Sequence, residues 1–408
     1  MSTALDTDQP TARDVWAAGF DAARLMRVRD ALGREVADKR IPGATYAIFR
    51  QGRIAALGAV GSLDPTTGAP MPVDAVFSIA SMTKAMVSVV ILQLFEEGRL
   101  LLADPVGKFL PELAALSVQQ IAADGSATVR PARSQPTIQD LLRHTSGLTY
   151  QDRGKTPAHK LYPGSSIVAA VKHDKAAFLA AMAKAPLLFD PGTAWEYGFS
   201  TDILGLVVEA IEGRPLGTVL SDRLWRPLGM SDTAFTLSAE TGKRYARAFA
   251  NDPLTGAVQS IHHATGAAMK WESGGGGAVS SARDYLRFSS ALLGQGALGG
   301  TRILGRKTVE LMTADHLGPA IDANRIADSM DPSCAGYGFG LGVAVRRQTG
   351  VAAMAGSAGD YYWSGVYGTY FWVDAKEDMT VVFMGAVPGL LRLRYRQLMR
   401  SLVYQAMA

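Results

Sequence analysis

Ser81 is the only serine in the chain with a lysine three residues later, and Ser81-Met82-Thr83-Lys84 opens the most apolar helix-like stretch of the sequence. Positions i and i+3 share a helical face with Cβ atoms about 5–6 Å apart, so the lysine amine can reach the serine hydroxyl. That hydroxyl is too weak an acid to attack a carbonyl unaided and needs a neighbour to take its proton. A lysine serves when burial disfavours its charged form, and from Ala85 to Phe95 only Ser88 and Gln93 are polar. The positive end of the helix would favour the developing alkoxide and oxyanion. The plainer alternative has Ser81 capping a buried helix while Lys84 reaches solvent. Chance supplies roughly one S-x-x-K in a chain of this size, so the tetrad alone does not decide.

Two further segments bear on the choice. Asp190-Pro191-Gly192-Thr193-Ala194-Trp195-Glu196-Tyr197 reads as a turn delivering Tyr197 to the mouth of the next helix, with Ser200 as its cap. A phenolate is stabilised by a nearby ammonium, which makes Tyr197 a candidate proton-transfer partner for Ser81. As one of 13 tyrosines it also fits a core role. Between Tyr362 and Thr369 the strand-like pattern contains Gly365 and Gly368. Glycines inside a strand mark places where a ligand, or simply a neighbouring element, comes close to the backbone. Seven of the twelve residues from Tyr361 to Trp372 are aromatic, and no lysine or arginine lies between Arg347 and Lys376. A substrate here is expected to meet aromatic walls and backbone amides, without a cation.

These groups need a frame. Leu25, Val28, Leu32 and Val36 recur at helical spacing until Ile41-Pro42-Gly43 stops the helix. Ala44–Arg50 and Arg53–Val60 flank Gln51-Gly52 and predict a hairpin. Strands are also predicted at Phe339–Arg346, Val351–Ala355, Ser364–Val373 and Met379–Val387, before a helix from about Leu390 to Met407. Neither block makes a good sheet alone. Pairing them gives an α/β domain of the α+β type from residues 21–100 and 325–408, with a mostly antiparallel sheet flanked by helices. Residues 1–20 read as a polar leader. Residues 101–324 read as a largely helical inserted domain with loops, including Ala176–Ala183 and an Ile203–Ile211 helix stopped at Gly213. Gly274–Gly277 lacks the Lys-Ser or Lys-Thr of a phosphate loop and suggests a tight crossing or a mobile turn.

Composition narrows the class. With 408 residues and 48% hydrophobic content the chain can bury a large core. The net charge is +4, from 41 basic and 37 acidic residues spread along the chain, so no basic stripe suits nucleic acid. An 11-residue apolar run is shorter than the roughly 20 residues of a membrane span, and Met1–Phe20 lacks the basic start and apolar core of an export signal. Cys334 is the single cysteine, which fits a reducing compartment. The expectation is a cytoplasmic protein acting on a small molecule, with no cofactor, no metal, no membrane and no nucleic-acid partner.

In this order, Ser81-x-x-Lys84, the Tyr197 turn and the Trp363-Ser364-Gly365 strand resemble the serine β-lactamase and penicillin-binding-protein superfamily. The likeness is strongest to the family VIII carboxylesterases, which look like class C β-lactamases. Supporting segments include Ile41-Pro42-Gly43, Leu141-Leu142-Arg143-His144-Thr145-Ser146-Gly147-Leu148, the run from Tyr197 to Gly205, and Gly275-Gly276-Gly277. The resemblance spans roughly residues 22 to 405. It implies a β-lactamase/transpeptidase-like fold, Ser81 as acylated nucleophile, Lys84 and Tyr197 as the proton-handling pair, and the Ser81 and Val366 amides as oxyanion hole. Tyr150, Phe199, Trp363, Ser364 and Gly365 are the expected substrate-binding residues. Phe199 and Trp363 stand where β-lactamases of this type have an asparagine and a lysine, the groups that would hold a β-lactam's amide and carboxylate. A neutral ester is therefore the expected substrate, with weak β-lactamase activity at most.

Other chemistries fit less well. No G-x-S-x-G elbow is present for a Ser-His-Asp hydrolase, and His144 reads as structural. Adjacent His262 and His263 lack the further ligands of a metal site, and no motif surrounds Cys334. Beside carboxylesterase action, two readings stay open. One is an acyltransferase, or a D-amino-acid peptidase or amidase, using the same acyl-enzyme; the other is a non-catalytic ligand-binding homologue.

Overall fold

The computed structural model describes Leu5 and residues 10–408. Residues 1–4 and 6–9 of the polar leader lie outside the described residues. Further on, Ala12–Ala17 form a short helix closed by a Thr11–Asp14 capping box.

The frame is an eight-stranded, wholly antiparallel sheet. In chain order its strands are β1 (Gly43–Arg50), β2 (Arg53–Asp64), β3 (Ala69–Pro70), β4 (Tyr337–Phe339), β5 (Ala344–Arg346), β6 (Tyr361–Ser364), β7 (Tyr370–Asp374) and β8 (Met379–Gly385). Their spatial order is β4-β5-β6-β7-β8-β1-β2-β3. The two β-rich blocks join where β1 pairs with β8, Ala47 facing Val382. Every residue of β1 and β8 is buried, the polar Thr45, Arg50 and Thr380 included. The β1–β2 turn has φ of 51° at Gln51 and 74° at Gly52, the left-handed pair a tight hairpin needs.

Five helices cover the sheet or position the site: α1 (Ala22–Ala37), α2 (Thr83–Glu96), α3 (Ser200–Glu212), α4 (Ala282–Leu293) and α5 (Leu391–Tyr404). α4 packs on β1 and β8, and α5 packs on α1. A buried cluster ties α5 to the sheet: Asp360 accepts from Arg346 Nε at 2.7 Å and Arg400 Nη1 at 3.0 Å. No described helix is long and apolar enough to cross a membrane.

Three strand expectations are corrected. Phe339–Arg346 is two short strands, β4 and β5, joined by a turn with Gly342 at φ 97°. Ser364–Val373 is likewise interrupted, because Gly365 to Gly368, the latter at φ 104°, turn the chain from β6 into β7. Val351–Ala355 forms no strand. Its apolar residues satisfy the pattern, but the chain between β5 and β6 loops away from the sheet.

α2 runs through the middle of the molecule. From Thr83 to Leu92 every residue is buried, so the helix has no solvent face for Lys84 to reach. α3 packs beside it and ends at Gly213 with φ 65°. Strand Val76–Ser78 pairs with Val279–Ser281 and so brings the glycine run 274–277 alongside the Ser81 turn.

Candidate active site

Ser81 sits in one 3₁₀ turn, Ala80–Met82, immediately before α2. Ala80 has φ 44°, a left-handed conformation that a residue with a Cβ adopts only when its surroundings enforce it. This sharp turn presents the half-buried Ser81 to a cavity, and Ser81 makes no capping bond to α2. Lys84 is 1% exposed, so the snorkelling alternative does not describe this side chain.

Three residues converge: Lys84 at the spacing read from the sequence, and Tyr197 from a distant turn. Lys84 Nζ lies 3.4 Å from Ser81 Oγ, and the Tyr197 hydroxyl lies 2.7 Å from the same oxygen. Lys84 Nζ also sits 4.7 Å from the centre of the Tyr197 ring. Two partners of Lys84 were not foreseen in that role: the Tyr150 hydroxyl at 3.1 Å and the Gly275 carbonyl at 2.5 Å. Gly275 needs to be glycine, since a Cβ there would overlap Asp202 and Ser166. The glycine run is thus a tight crossing.

His144 backs the site. Its ring lies 4.9 Å from Tyr197 and 5.5 Å from Phe339. Burial, reinforced by the charges of Lys84 and Arg153, holds its pKa well below the usual histidine range, so the ring is neutral. Burial likewise keeps Tyr150 protonated, with its pKa well above that of a free phenol.

The cavity in front of Ser81 has a volume of about 680 Å³ and is also lined by Tyr150, Tyr197, Ser364 and Val366. Val366 is 47% exposed, and its amide donates to no backbone carbonyl among the described residues. The remaining expected substrate residues lie behind this surface. Trp363 is 2% exposed and packs against the Tyr197 ring, 5.5 Å between centres. Fully buried Phe199 supports Tyr150 at 4.7 Å. Gly365 lets β6 approach Ile79 and Thr369, where a side chain would clash. Ser200 is the first residue of α3 rather than its cap, and its Oγ bonds Ser146 Oγ at 2.8 Å.

The expectation of a cation-free pocket is corrected. Arg153, Lys172, Arg392 and Arg396 line the same cavity. All four lie outside the segment 348–375 on which that expectation rested, and Arg392 and Arg396 come from α5. Arg392 donates to the Pro388 and Gly389 carbonyls at 3.1 and 2.9 Å, while Arg396 lies 3.4 Å from Asp331.

The residues considered for other chemistry are otherwise engaged. His263 Nδ1 bonds Ser78 Oγ at 2.7 Å, its Nε2 faces the Phe235 carbonyl at 3.3 Å, and burial lowers its pKa to about 4. Burial pushes the Cys334 thiol up to about 11, far from an active thiolate.

Fold and site together define a serine hydrolase with an S-x-x-K turn at the head of a buried helix. The chain belongs to the β-lactamase family, whose model matches residues 28–397. It is 32% identical over 393 residues to esterase EstB of Burkholderia gladioli, covering 92% of each chain. Monacolin J acid methylbutanoyltransferase of Aspergillus terreus is 28% identical over 366 residues, covering 83% of this chain and 82% of its own. Among solved structures, EstCE1, described as a hydrolase with promiscuous acyltransferase activity, superposes with a TM-score of 0.77 at 26% identity. That match covers 94% of this chain and 99% of the other.

Proposed function

We propose that the protein is a carboxylesterase of the family VIII type, hydrolysing short-to-medium acyl esters through an acyl-Ser81 intermediate. The observation that carries this reading is the position of Ser81 Oγ between Lys84 Nζ at 3.4 Å and the Tyr197 hydroxyl at 2.7 Å, at the floor of a cavity. Lys84 and Tyr197 take the Ser81 proton as Oγ bonds to the ester carbonyl carbon, then return it to the leaving alcohol. The Ser81 and Val366 amides hold the oxyanion, where loss of one donor costs about 3–4 kcal/mol of barrier lowering. Water then attacks the acyl-enzyme with the same pair acting in reverse.

The test is turnover of p-nitrophenyl acetate and butyrate together with intact mass after a fluorophosphonate. The wild-type chain gains one adduct and hydrolyses both esters; Ser81→Ala does neither. Equal turnover by Ser81→Ala would overturn the assignment.

Acyl transfer from the same intermediate is a second reading, favoured by the activities for which the methylbutanoyltransferase and EstCE1 are named. Product analysis with a competing alcohol separates the two: a strict hydrolase yields only free acid, and a transferase yields a new ester.

A further inference from the structure

Lys84 has three polar contacts, and a single residue that touches neither Lys84 nor Ser81 holds two of them. Asp202, in the first turn of α3, is fully buried. Its Oδ1 accepts from the Gly275 amide at 3.0 Å and from Ser273 Oγ at 2.5 Å. Its Oδ2 accepts from Ser166 Oγ at 2.6 Å, and Ser166 Oγ lies 2.6 Å from the Tyr150 hydroxyl. Gly275 through its carbonyl and Tyr150 through its hydroxyl are the two partners of Lys84 other than Ser81. A buried carboxylate is costly unless compensated. Desolvation raises the Asp202 pKa, and the Lys84 charge leads the influences that lower it again.

Hydrogen accounting fixes the direction of this network. An ionised carboxylate only accepts, so the one hydrogen of Ser166 goes to Asp202. Tyr150 must then donate its own hydrogen to Ser166, which leaves the phenol oxygen to accept from Lys84. The Gly275 carbonyl also only accepts. Acting as the base proposed above, Lys84 must first give up one proton; its amine then keeps two hydrogens, and these two acceptors use both. The remaining tetrahedral position of Nζ, which carries the lone pair, is left for Ser81 Oγ.

We propose that Asp202 is a positioning residue that, through Ser166–Tyr150 on one side and Gly275 on the other, turns the lone pair of Lys84 toward Ser81. The proposal rests on Ser81 and Lys84 being nucleophile and base. As Oγ bonds to the acyl carbon, its proton passes to Nζ, and the resulting ammonium has the Asp202 charge one residue away through Gly275 and two away through Tyr150 and Ser166. Tyr150 stays protonated throughout. The other groups facing Lys84 are the Tyr197 phenol, neutral His144 and the more distant Arg153 guanidinium. None of them is a carboxylate.

Asp202→Asn would reverse the chain. The amide donates to Ser166, Ser166 to Tyr150 and Tyr150 to Nζ, occupying the lone pair that Ser81 needs. The experiment is kcat/KM for p-nitrophenyl butyrate from pH 5 to 10 in wild type, Asp202→Asn, Ser166→Ala and Tyr150→Phe, with melting curves for each. In Asp202→Asn the plateau is expected to fall about 10²-fold, the scale of a misaligned reacting group. Its acid limb moves about one unit lower, because the ammonium has lost its buried counter-charge. Ser166→Ala and Tyr150→Phe lower the plateau about tenfold or more and leave the acid limb in place, since Asp202 keeps its charge.

An Asp202→Asn profile with unchanged plateau and limb overturns the proposal. If that variant does not fold, Ser166→Ala and Tyr150→Phe decide, and activity within about threefold of wild type in both overturns it equally, being far short of that scale. Full turnover by Ser81→Ala would instead mark failure of the nucleophile assignment itself.

Discussion

Gly275→Ala adds one methyl group beside the candidate base. Its Cβ would lie 2.6 Å from Asp202 Cγ and closer still to Asp202 Oδ2 and Ser166 Oγ, where ordinary contact begins at 3.4 Å. The shortfall is at least 3.4 − 2.6 = 0.8 Å. Asp202 cannot swing aside, because Ser166, Ser273 and the Gly275 amide hold it. The backbone at 275 must therefore give way and carry its carbonyl off Lys84 Nζ. A displacement near 1 Å costs about 10²-fold in rate, and the overpacking costs about 1–3 kcal/mol of stability. The assay is kcat/KM on p-nitrophenyl butyrate with denaturant unfolding in parallel. Gly213→Ala is the control: it carries φ 65° at the end of α3 with open space where a Cβ would go. It should lose about 1–2 kcal/mol of stability through strain alone and keep its activity. Activity of Gly275→Ala within about threefold of wild type, well below the effect of such a displacement, would refute the idea that this carbonyl pins the amine.

Two further outcomes follow from the charges. Asp284, buried in α4, accepts from Thr233 Oγ1 and the Asp232 amide, and burial pushes its carboxyl up to about 7. The folded state thus binds this proton more tightly than the unfolded state, so the favourable contribution is full below pH 4 and is lost as pH rises through about 7. Three units correspond to about 4 kcal/mol as an upper figure. Asp284→Asn should therefore be more stable than wild type at pH 8 but not at pH 4, and a difference independent of pH in urea unfolding would contradict this. Arg392 and Arg396 line the cavity, and among the described residues Arg392 has only carbonyls as hydrogen-bond partners. An ester with a terminal carboxylate on its acyl chain should show a KM about tenfold lower than its neutral counterpart, the scale of one hydrogen bond to a charge. Arg392→Gln should abolish that preference, and equal KM values in wild type would refute it.

Ser81 and Lys84 were legible because a lysine one helical turn from a serine is a local pattern, whereas Tyr197, 116 residues away, was singled out from 13 tyrosines only by the ordered resemblance. The surroundings of Lys84 were not legible. Tyr150, Ser166, Asp202 and Gly275 come from four segments brought together only by packing, and nothing in the spacing of an isolated aspartate within Ser200-Thr201-Asp202-Ile203 tells that it faces a buried lysine. Its one signal was an acid in the first turn of an otherwise apolar helix. The same limit explains the strand errors. Apolar alternation finds segments able to enter a sheet, but pairing decides whether they do. Val351–Ala355 found no partner, and the glycines at 365 and 368 turned one predicted strand into two. The sheet as a whole was legible because neither β-rich block could bury its faces alone.

The pairing of β1 with β8 also sets a timetable for synthesis. Ala47 faces Val382 across 382 − 47 = 335 residues. At about 5–20 residues per second, roughly 20–70 s separate the appearance of the two partners on a ribosome. Throughout that interval the first hairpin exists with one ladder of its inner strand unsatisfied, a ready template for a neighbouring nascent chain. The sheet closes only once β8 has been made, and a chain terminated before residue 379 would carry the complete Ser81–Lys84–Tyr197 set without the strand that completes its frame.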